Sequence, residues 1–446
     1  MGFPMPATGS TLTSFDAFLK DNYTSDEVAR TMNENHVFLD MLDTKKRGTG
    51  RRWIVPLIDS NPQGAGATLL DAQSGSQQAG AGSNIQGAAW TINWGEYDAA
   101  VQIGDKIIDA SASDMGAFFE DQKEEIDGLY RNFADIMTYY LLQDQGRALG
   151  FGTISAGVIT LAASTNGVLG SQAIVNFEVG QILLPSANDG TSTAHVIIAS
   201  AGLGFVVAVN YNAGTLTVSA TSGGAAGTPA NWAGSMYFFR AGQSGGPGDF
   251  GGTANPNRIV LGFGAWNPPA DPTSTAFEGV DRSVNVLRRS GVRLVAADVA
   301  GNGIEQRCRK LATRMRSRGK PPKTGLLHSE QFEALATSLE TRGIRNLVEM
   351  NEVGYFNFQS IKMNTAAGPV AYFEDKFMPI GSLYMFDLKG VRFATLSGFP
   401  KIVNGDGLTM LRASTSNSYE YRIVAYPGYV HRDPTMTGRC PLLSPT

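Results

Sequence analysis

Residues 59–88 constrain this chain more than any other stretch. The run SNPQGAGATLLDAQSGSQQAGAGSNIQG has Leu69, Leu70 and Ile85 as its large apolar groups and cannot build a core of its own. Strand-forming residues flank it on both sides, Trp53 to Ile58 before it and Trp90, Ile92, Trp94, Tyr97 and Val101 after it. The physical reading is a long two-stranded arm with a flexible tip, projecting from a body. Pro56 confines the first strand to an edge or a bulge. An isolated two-stranded ribbon is marginal in water, so the arm needs something to lie on, and a neighbouring subunit would supply it.

Ahead of the arm, residues 1–24 are polar and punctuated by Gly and Pro, as in an extended segment. Ser25 with Asp26 and Glu27 reads as an N-cap and acidic first turn, opening a short helix to about Leu42. The basic cluster KKRGTGRR follows, placing Lys45, Lys46, Arg47, Arg51 and Arg52 at the base of the arm as candidate contacts. Beyond the arm, a long helix is predicted from about Ser113 to Ala148. Its apolar residues Ile126, Leu129, Tyr130, Phe133, Ile136, Met137, Tyr140 and Leu141 step by three and four and form one stripe. Asp114, Glu120, Asp121, Glu124 and Glu125 suit the positive end of its dipole. About 35 residues make a rod of roughly 50 Å, longer than the usual three to four turns.

Composition changes at Gly150. Between Thr153 and Gly242 the formally charged residues are Glu178, Asp189 and Arg240, while VITLAA, GQILLPS, AHVIIAS, FVVAVNY, GTLTVSA and MYFFRAG alternate with turns. This pattern indicates a small antiparallel barrel or sandwich inserted into something larger. Val196 to Val209 is too short and too broken by Gly202 and Gly204 for a spanning helix, and reads as a buried hairpin. A Gly/Pro-rich connector covers 243–275. After it come an amphipathic helix from about Gly303 to Arg318, a strand at Gly325 to Leu327, a helix from about Ser329 to Glu340, and strands at 369–375, 382–387, 391–396 and 419–426. The whole is α+β, and 446 residues accommodate two to four domains.

Catalytic signals are weak. His36, His195, His328 and His431 have no metal-ligand spacing with one another or with Cys308 and Cys440, which form no CxxC pair. The GPGDFG match at 246–251 leads into GTANPN, which cannot open the helix a dinucleotide site requires. Cys308 falls on the apolar stripe Ile304, Cys308, Leu311, Met315 and reads as a small buried hydrophobe. No cofactor or metal is expected. The start MGFPMPATGS carries no positive n-region or apolar h-region, which points to a reducing cytosol without a membrane.

Charge is the clearer signal. From Arg288 to Lys323 eleven basic residues face two acidic ones, Asp298 and Glu305. Within that run Arg307, Arg309, Lys310, Arg314, Arg316 and Arg318 are candidates for an intersubunit or DNA-facing surface. Asp105 to Asp127 carries eight carboxylates against Lys106 and Lys123, so Glu120, Asp121, Glu124 and Glu125 are candidate acidic partners. The alternative for each charge run is a solvated helix face.

The order of arm, Gly/Gln/Ala-tipped hairpin and spine helix resembles the major capsid proteins of tailed bacteriophages, which adopt the Hong Kong 97-like fold. WTINWGEYDAAVQIGDKIIDASASDMGAFFEDQKEEIDGLYRNFADIMTYYLL looks like the end of an extended E-loop running into the spine helix. NFEVGQILLPSANDG, VNYNAGTLTVSA and MYFFRAGQ look like the β-rich insertion of many such proteins. LGFGAWNP with FEGVDRS resembles the return into the peripheral domain, and GPVAYFEDKFMPIGSLYMFDLKGVRFATL the strands crossing the axial domain. DGLTMLRASTSNSYEYRIVAYPGYVHRDPTMTGR resembles the C-terminal peripheral strands.

The resemblance implies an N-terminal arm at 1–44, an E-loop at 45–104, a spine at 105–150, an inserted β domain at 151–245, a peripheral return at 246–324, an axial domain at 325–395 and C-terminal strands at 396–446. It further implies a non-catalytic protein that forms hexamers and pentamers, closing an icosahedral shell around double-stranded DNA within a virion assembled in the host cytoplasm. Its implied partners are copies of itself, a separate scaffolding protein, a portal protein and a decoration protein. The segment 59–87 contains no Lys, so the covalent crosslink of some family members is not expected. Two alternatives stand beside this reading. One is an encapsulin-type compartment; the other is a cytosolic β-rich ligand-binding protein with a pocket near Trp232 or Trp266.

Overall fold

In the computed structural model, which describes residues 36–42, 48–61, 67–68, 86–104, 115–143, 148–162, 170–188, 201–240, 260–273, 276–341, 347–348, 360–403, 410–412 and 417–442, a short helix α1 (Val37–Met41) precedes the arm. Strands β1 (Arg52–Ser60) and β2 (Gln86–Asn93) pair antiparallel as a two-stranded sheet, with Pro56 opposite Ala89. Side chains alternate across a ribbon, so Val55, Leu57, Trp90 and Ile92 are buried on one face. Ile54 and Ile58 stand on the other, 64% and 56% exposed. The described base of the arm therefore packs one face on its own body, while most of the tip lies outside the described residues. Large apolar groups at every second position of both strands bring this packing about.

Strand β3 (Tyr97–Gly104) leaves the arm and pairs along its length with residues Ser418–Ala425. Helix α2 (Met115–Leu142) follows; its 28 residues make a rod of about 42 Å. The stripe Ile126, Leu129, Tyr130, Phe133, Met137, Tyr140 and Leu141 is buried as its spacing requires. Burial pushes the Tyr130 hydroxyl up to about 12, and it sits 2.6 Å from the hydroxyl of Tyr421, tying the helix to the C-terminal strands. The predicted extensions at 113–114 and 144–147 fall outside the described residues.

The poorly charged stretch folds as a closed six-stranded antiparallel barrel. Its strands are β4 (Gly150–Ser155), β5 (Val158–Leu161), β6 (Ile182–Ser186), β7 (Gly204–Asn210), β8 (Thr215–Ser219) and β9 (Ser235–Arg240), in the order β4–β5–β8–β7–β6–β9. Phe177, Leu183, Val206, Leu216, Val218 and Phe238 fill it. Gly150 at its entrance is opposite Phe238 at its exit, so the chain enters and leaves side by side, as an inserted module must. Of the predicted hairpin at 196–209, β7 pairs with both β6 and β8; residues 189–200, including His195 and all of AHVIIAS, lie outside the described residues.

The remaining elements are α3 (Phe263–Trp266), β10 (Ala276–Phe277), β11 (Val280–Asp281), α4 (Val286–Ser290), β12 (Val292–Arg293), α5 (Ile304–Arg318), β13 (Thr324–Leu327), α6 (Ser329–Thr341), β14 (Leu347–Val348), β15 (Ser360–Thr365), β16 (Gly368–Glu374), β17 (Ser382–Phe386), β18 (Val391–Thr395), β19 (Lys401–Ile402), β20 (Met410–Arg412), β21 (Ser418–Ala425), β22 (Pro427–His431) and β23 (Thr437–Pro441). A seven-stranded mixed sheet runs β12–β23–β17–β13–β16–β15–β14. Its central strands are buried on both faces. Leu327, Tyr372, Leu383, Met385 and Cys440 pack with Cys308, Leu311 and Met315 of α5 and Leu335 and Leu339 of α6. Their neighbours Leu326, Phe373, Tyr384 and Phe386 turn to the main core with Phe38 and Phe263. The sheet reaches beyond 325–395, because β12 and β23 extend its edge, while β18 leaves it to pair with β22.

Four contacts fix the base of the arm. Trp53 and Trp94 stack at 5.8 Å against Gly428 of β22, where an added Cβ would meet Trp94 at 3.0 Å. Trp90 meets Trp266 edge-on at 5.0 Å. Arg289 grips Asp59 through two nitrogens and donates to the Asp281 carbonyl at 2.5 Å. The fourth is the turn between β10 and β11, whose Glu278 carbonyl accepts from Thr91 N–H of β2 at 3.0 Å.

That turn has two central residues, Glu278 and Gly279, with φ of 47° and 82°. This is the geometry of a hairpin turn that favours Asn-Gly. Burial also pushes the Glu278 carboxyl up to about 7 from 4.5. Between those pH values the folded chain still holds a proton that the unfolded chain has lost, so stability falls as pH rises through the window. Glu278→Asn removes both the misfit and the buried charge. It is expected to stabilise the chain at pH 8 by about 2 kcal/mol, and by clearly less at pH 4.5. Urea unfolding at the two pH values checks this; an equal or absent gain contradicts it.

Candidate interaction surface

The residues weighed for chemistry are packed into the body. His36 is buried, 3.0 Å from Asp135 and stacked on Phe377 at 5.8 Å. Burial brings the His328 imidazole down to about 4, so it is neutral, and its Nδ1 accepts from Glu330 N–H at the start of α6 at 3.3 Å. His431 lies against Phe263 and Trp266 and meets the Tyr429 hydroxyl at 3.0 Å. Cys308 and Cys440 are buried free thiols. Burial pushes Cys440 up to about 12 and Cys308 higher still, which keeps both protonated and poorly nucleophilic. Among the described residues no group of three or more His, Cys, Asp or Glu could hold a metal ion, and no helix is long and apolar enough to cross a membrane. Trp232 and Trp266, the residues named for the binding-protein alternative, are both buried. The GPGDFG match falls outside the described residues.

The basic helix presents much less charge than its sequence suggests. Arg307, 6% exposed, faces inward, donating to the carbonyls of Asn302 at 2.8 Å and Pro441 at 3.0 Å. Arg309 pairs with Glu305 at 2.6 Å and Arg314 with Asp298 at 2.6 Å. Lys310 and Arg316 donate to the carbonyls of Asp298 and Ala366. Long cationic side chains here cap loop carbonyls and neutralise the two local carboxylates. Arg318, at the last turn, is exposed and engages no described carboxylate.

Arg318 instead joins basic residues from distant parts of the chain. A groove of about 790 Å³ is lined by Pro56, Leu57 and Ile58 of β1, Leu287 and Arg288 of α4, Arg318 and Lys320 at the end of α5, Lys389, Arg432 and Met436. Its carboxylate, Asp433, is held by Lys320 at 2.7 Å. Lys389 and Arg432 also line an adjoining cavity of about 420 Å³ with Arg392. Burial and then the neighbouring Arg432 cation hold the Arg392 guanidinium below its usual range. Sequence inspection missed Lys389, Arg392 and Arg432, because the first two lie some forty residues before the third and the pairing of β18 with β22 brings them together.

Of the predicted arm-base contacts, Arg51 and Arg52 are exposed, while Lys45, Lys46 and Arg47 fall outside the described residues. The backbone of α2 runs through Glu120, Asp121, Glu124 and Glu125, whose side chains also fall outside them.

No family model and no curated protein matches the chain. Among solved structures it is similar to the Cyanophage A-1(L) capsid asymmetric unit, with a TM-score of 0.47 and 9% identity over 94% of this chain and 95% of that one. It is also similar to the satellite phage P4 procapsid including size determination (Sid) protein, with a TM-score of 0.39 and 9% identity over 98% and 99% of the two chains. The holo-SrpI encapsulin complex from Synechococcus elongatus PCC 7942 gives a TM-score of 0.39 and 9% identity over 90% and 85%.

Proposed function

We propose that this chain is a structural shell protein, a major capsid protein of the Hong Kong 97-like type. It assembles through hexamers and pentamers into an icosahedral shell around double-stranded DNA, without catalysis. The observation that carries this reading is the arm. Its two strands pair only with each other among the described residues, and Ile54 and Ile58 stand exposed on its outer face. A second copy covering that face would remove apolar surface and order the ribbon. The arm at 45–104, the spine at 105–150 and the axial region at 325–395 are the parts assigned to this assembly, with scaffolding, portal and decoration proteins as further partners. Obligate contacts of this kind bury more than about 2,000 Å². Sedimentation velocity of the full chain, produced with its assembly partners, tests the proposal. Megadalton species are expected, and a chain that stays near 47.5 kDa in their presence contradicts it.

A further inference from the structure

We propose that the basic groove beside β1 receives the acidic segment 105–127 of a second copy of this chain. The inference rests on the shell reading and names the residues that join one copy to the next.

The groove carries charge that the described residues leave unbalanced. Arg318, Lys389 and Arg432 make no ion pair with a described carboxylate, and Asp433 is already bound by Lys320. Like cations gathered in one groove repel, and an anionic occupant relieves that repulsion. The walls are also apolar, with the partly exposed Leu287 and Met436 among them and Ile58 56% exposed at the rim. A phosphodiester backbone would meet the cations but leave those side chains wet. An acidic peptide with large apolar residues meets both demands.

Segment 105–127 has that composition. It carries eight carboxylates against two lysines, interspersed with Ile107, Ile108, Met115, Phe118 and Phe119. In its own chain both flanks are anchored on β21. Gly104 pairs with Ser418 of β21, and Tyr130 meets Tyr421 of the same strand. No residue of β3, α2 or β21 lines the groove. The groove and the segment are thus complementary in charge and apolar composition, as the two unlike halves of a head-to-tail contact that closes into rings must be.

Charge exchange tests the proposal in the full chain. Arg318→Glu with Lys389→Glu and Arg432→Glu reverses the groove; Glu120→Lys with Asp121→Lys and Glu124→Lys reverses the segment. Each set alone is expected to lower the assembled fraction at about 0.1 M salt by roughly tenfold, without changing the melting temperature of the unassembled chain. Both sets in one chain restore assembly. Shells that form equally well with the groove reversed, or a combined variant no better than either parent, overturn the inference while leaving the shell reading intact. So does a groove variant that assembles normally but loses binding to a short DNA duplex, because that assigns the groove to phosphates. A melting temperature that falls with the groove reversed while association is unchanged places the segment on its own copy and also overturns it. A wild-type chain that never self-associates removes the second copy itself, and the shell reading falls with the inference.

Discussion

A chain lacking residues 62–84 is expected to fold with an almost unchanged melting temperature and to form no stable shells. The groups that hold the arm to the body all lie outside the deletion. Val55 and Leu57 are on β1, Trp90 and Ile92 on β2, and Asp59 meets Arg289 on α4. The removed stretch is rich in Gly, Ala, Gln and Ser. Its loss therefore spares the monomer. The missing residues are those the shell reading places farthest from their own core, where contact with another copy is the return for ordering them. Thermal melting and sedimentation velocity on the same preparation separate the two effects. Normal shells from the deleted chain would sink the role given to the arm.

Arg289→Met is expected to have the largest effect on the monomer. Arg289 donates from Nε to Asp59 at 2.8 Å and from a terminal nitrogen to its other oxygen, while the second terminal nitrogen reaches the Asp281 carbonyl at 2.5 Å. The two side chains are 12% and 10% exposed. Hydrogen bonding to Asp59 holds the guanidinium above its ordinary range, so the cation is the form the fold prefers. Removing it leaves a carboxylate with little access to water at the arm's base. Breaking a largely buried pair from one side costs on the order of 3 kcal/mol, whereas replacing both partners with apolar groups is far milder. Arg289→Met should therefore lower the urea midpoint markedly, and Asp59→Leu added to it should recover most of the loss. A double variant as unstable as the single one would show that the pair does not act as a unit.

The sequence made the local elements legible where one face is buried and the other wet. Helix α5 was predicted from Gly303 and runs Ile304–Arg318, because Cys308, Leu311 and Met315 form a stripe against polar neighbours. The barrel was legible from its near absence of charge together with regular turns. Long-range pairing was not. β3 and β21 are more than three hundred residues apart, and no local period encodes their register. Strand β17 was legible at 382–387 even without alternation; Leu383, Tyr384, Met385 and Phe386 are all buried between two packed layers.

The candidate surface shows the same limit. Counting charges along α5 marked Arg307 through Arg318, but charge in a sequence carries no record of the carbonyls and carboxylates that satisfy it. Arg307 became an interior donor, and Arg309 and Arg314 became halves of ion pairs. Lys389 and Arg432, which pair with no described carboxylate, lie far from Arg318 in the sequence and meet it only in the fold.

The most direct measurement is cryo-electron microscopy of the fastest-sedimenting fraction of the wild-type chain. The account predicts closed icosahedral particles in which residues 52–93 of each copy lie across the spine helix of the next. Open aggregates, or closed particles in which the outer face carrying Ile54 and Ile58 touches no other copy, would contradict it.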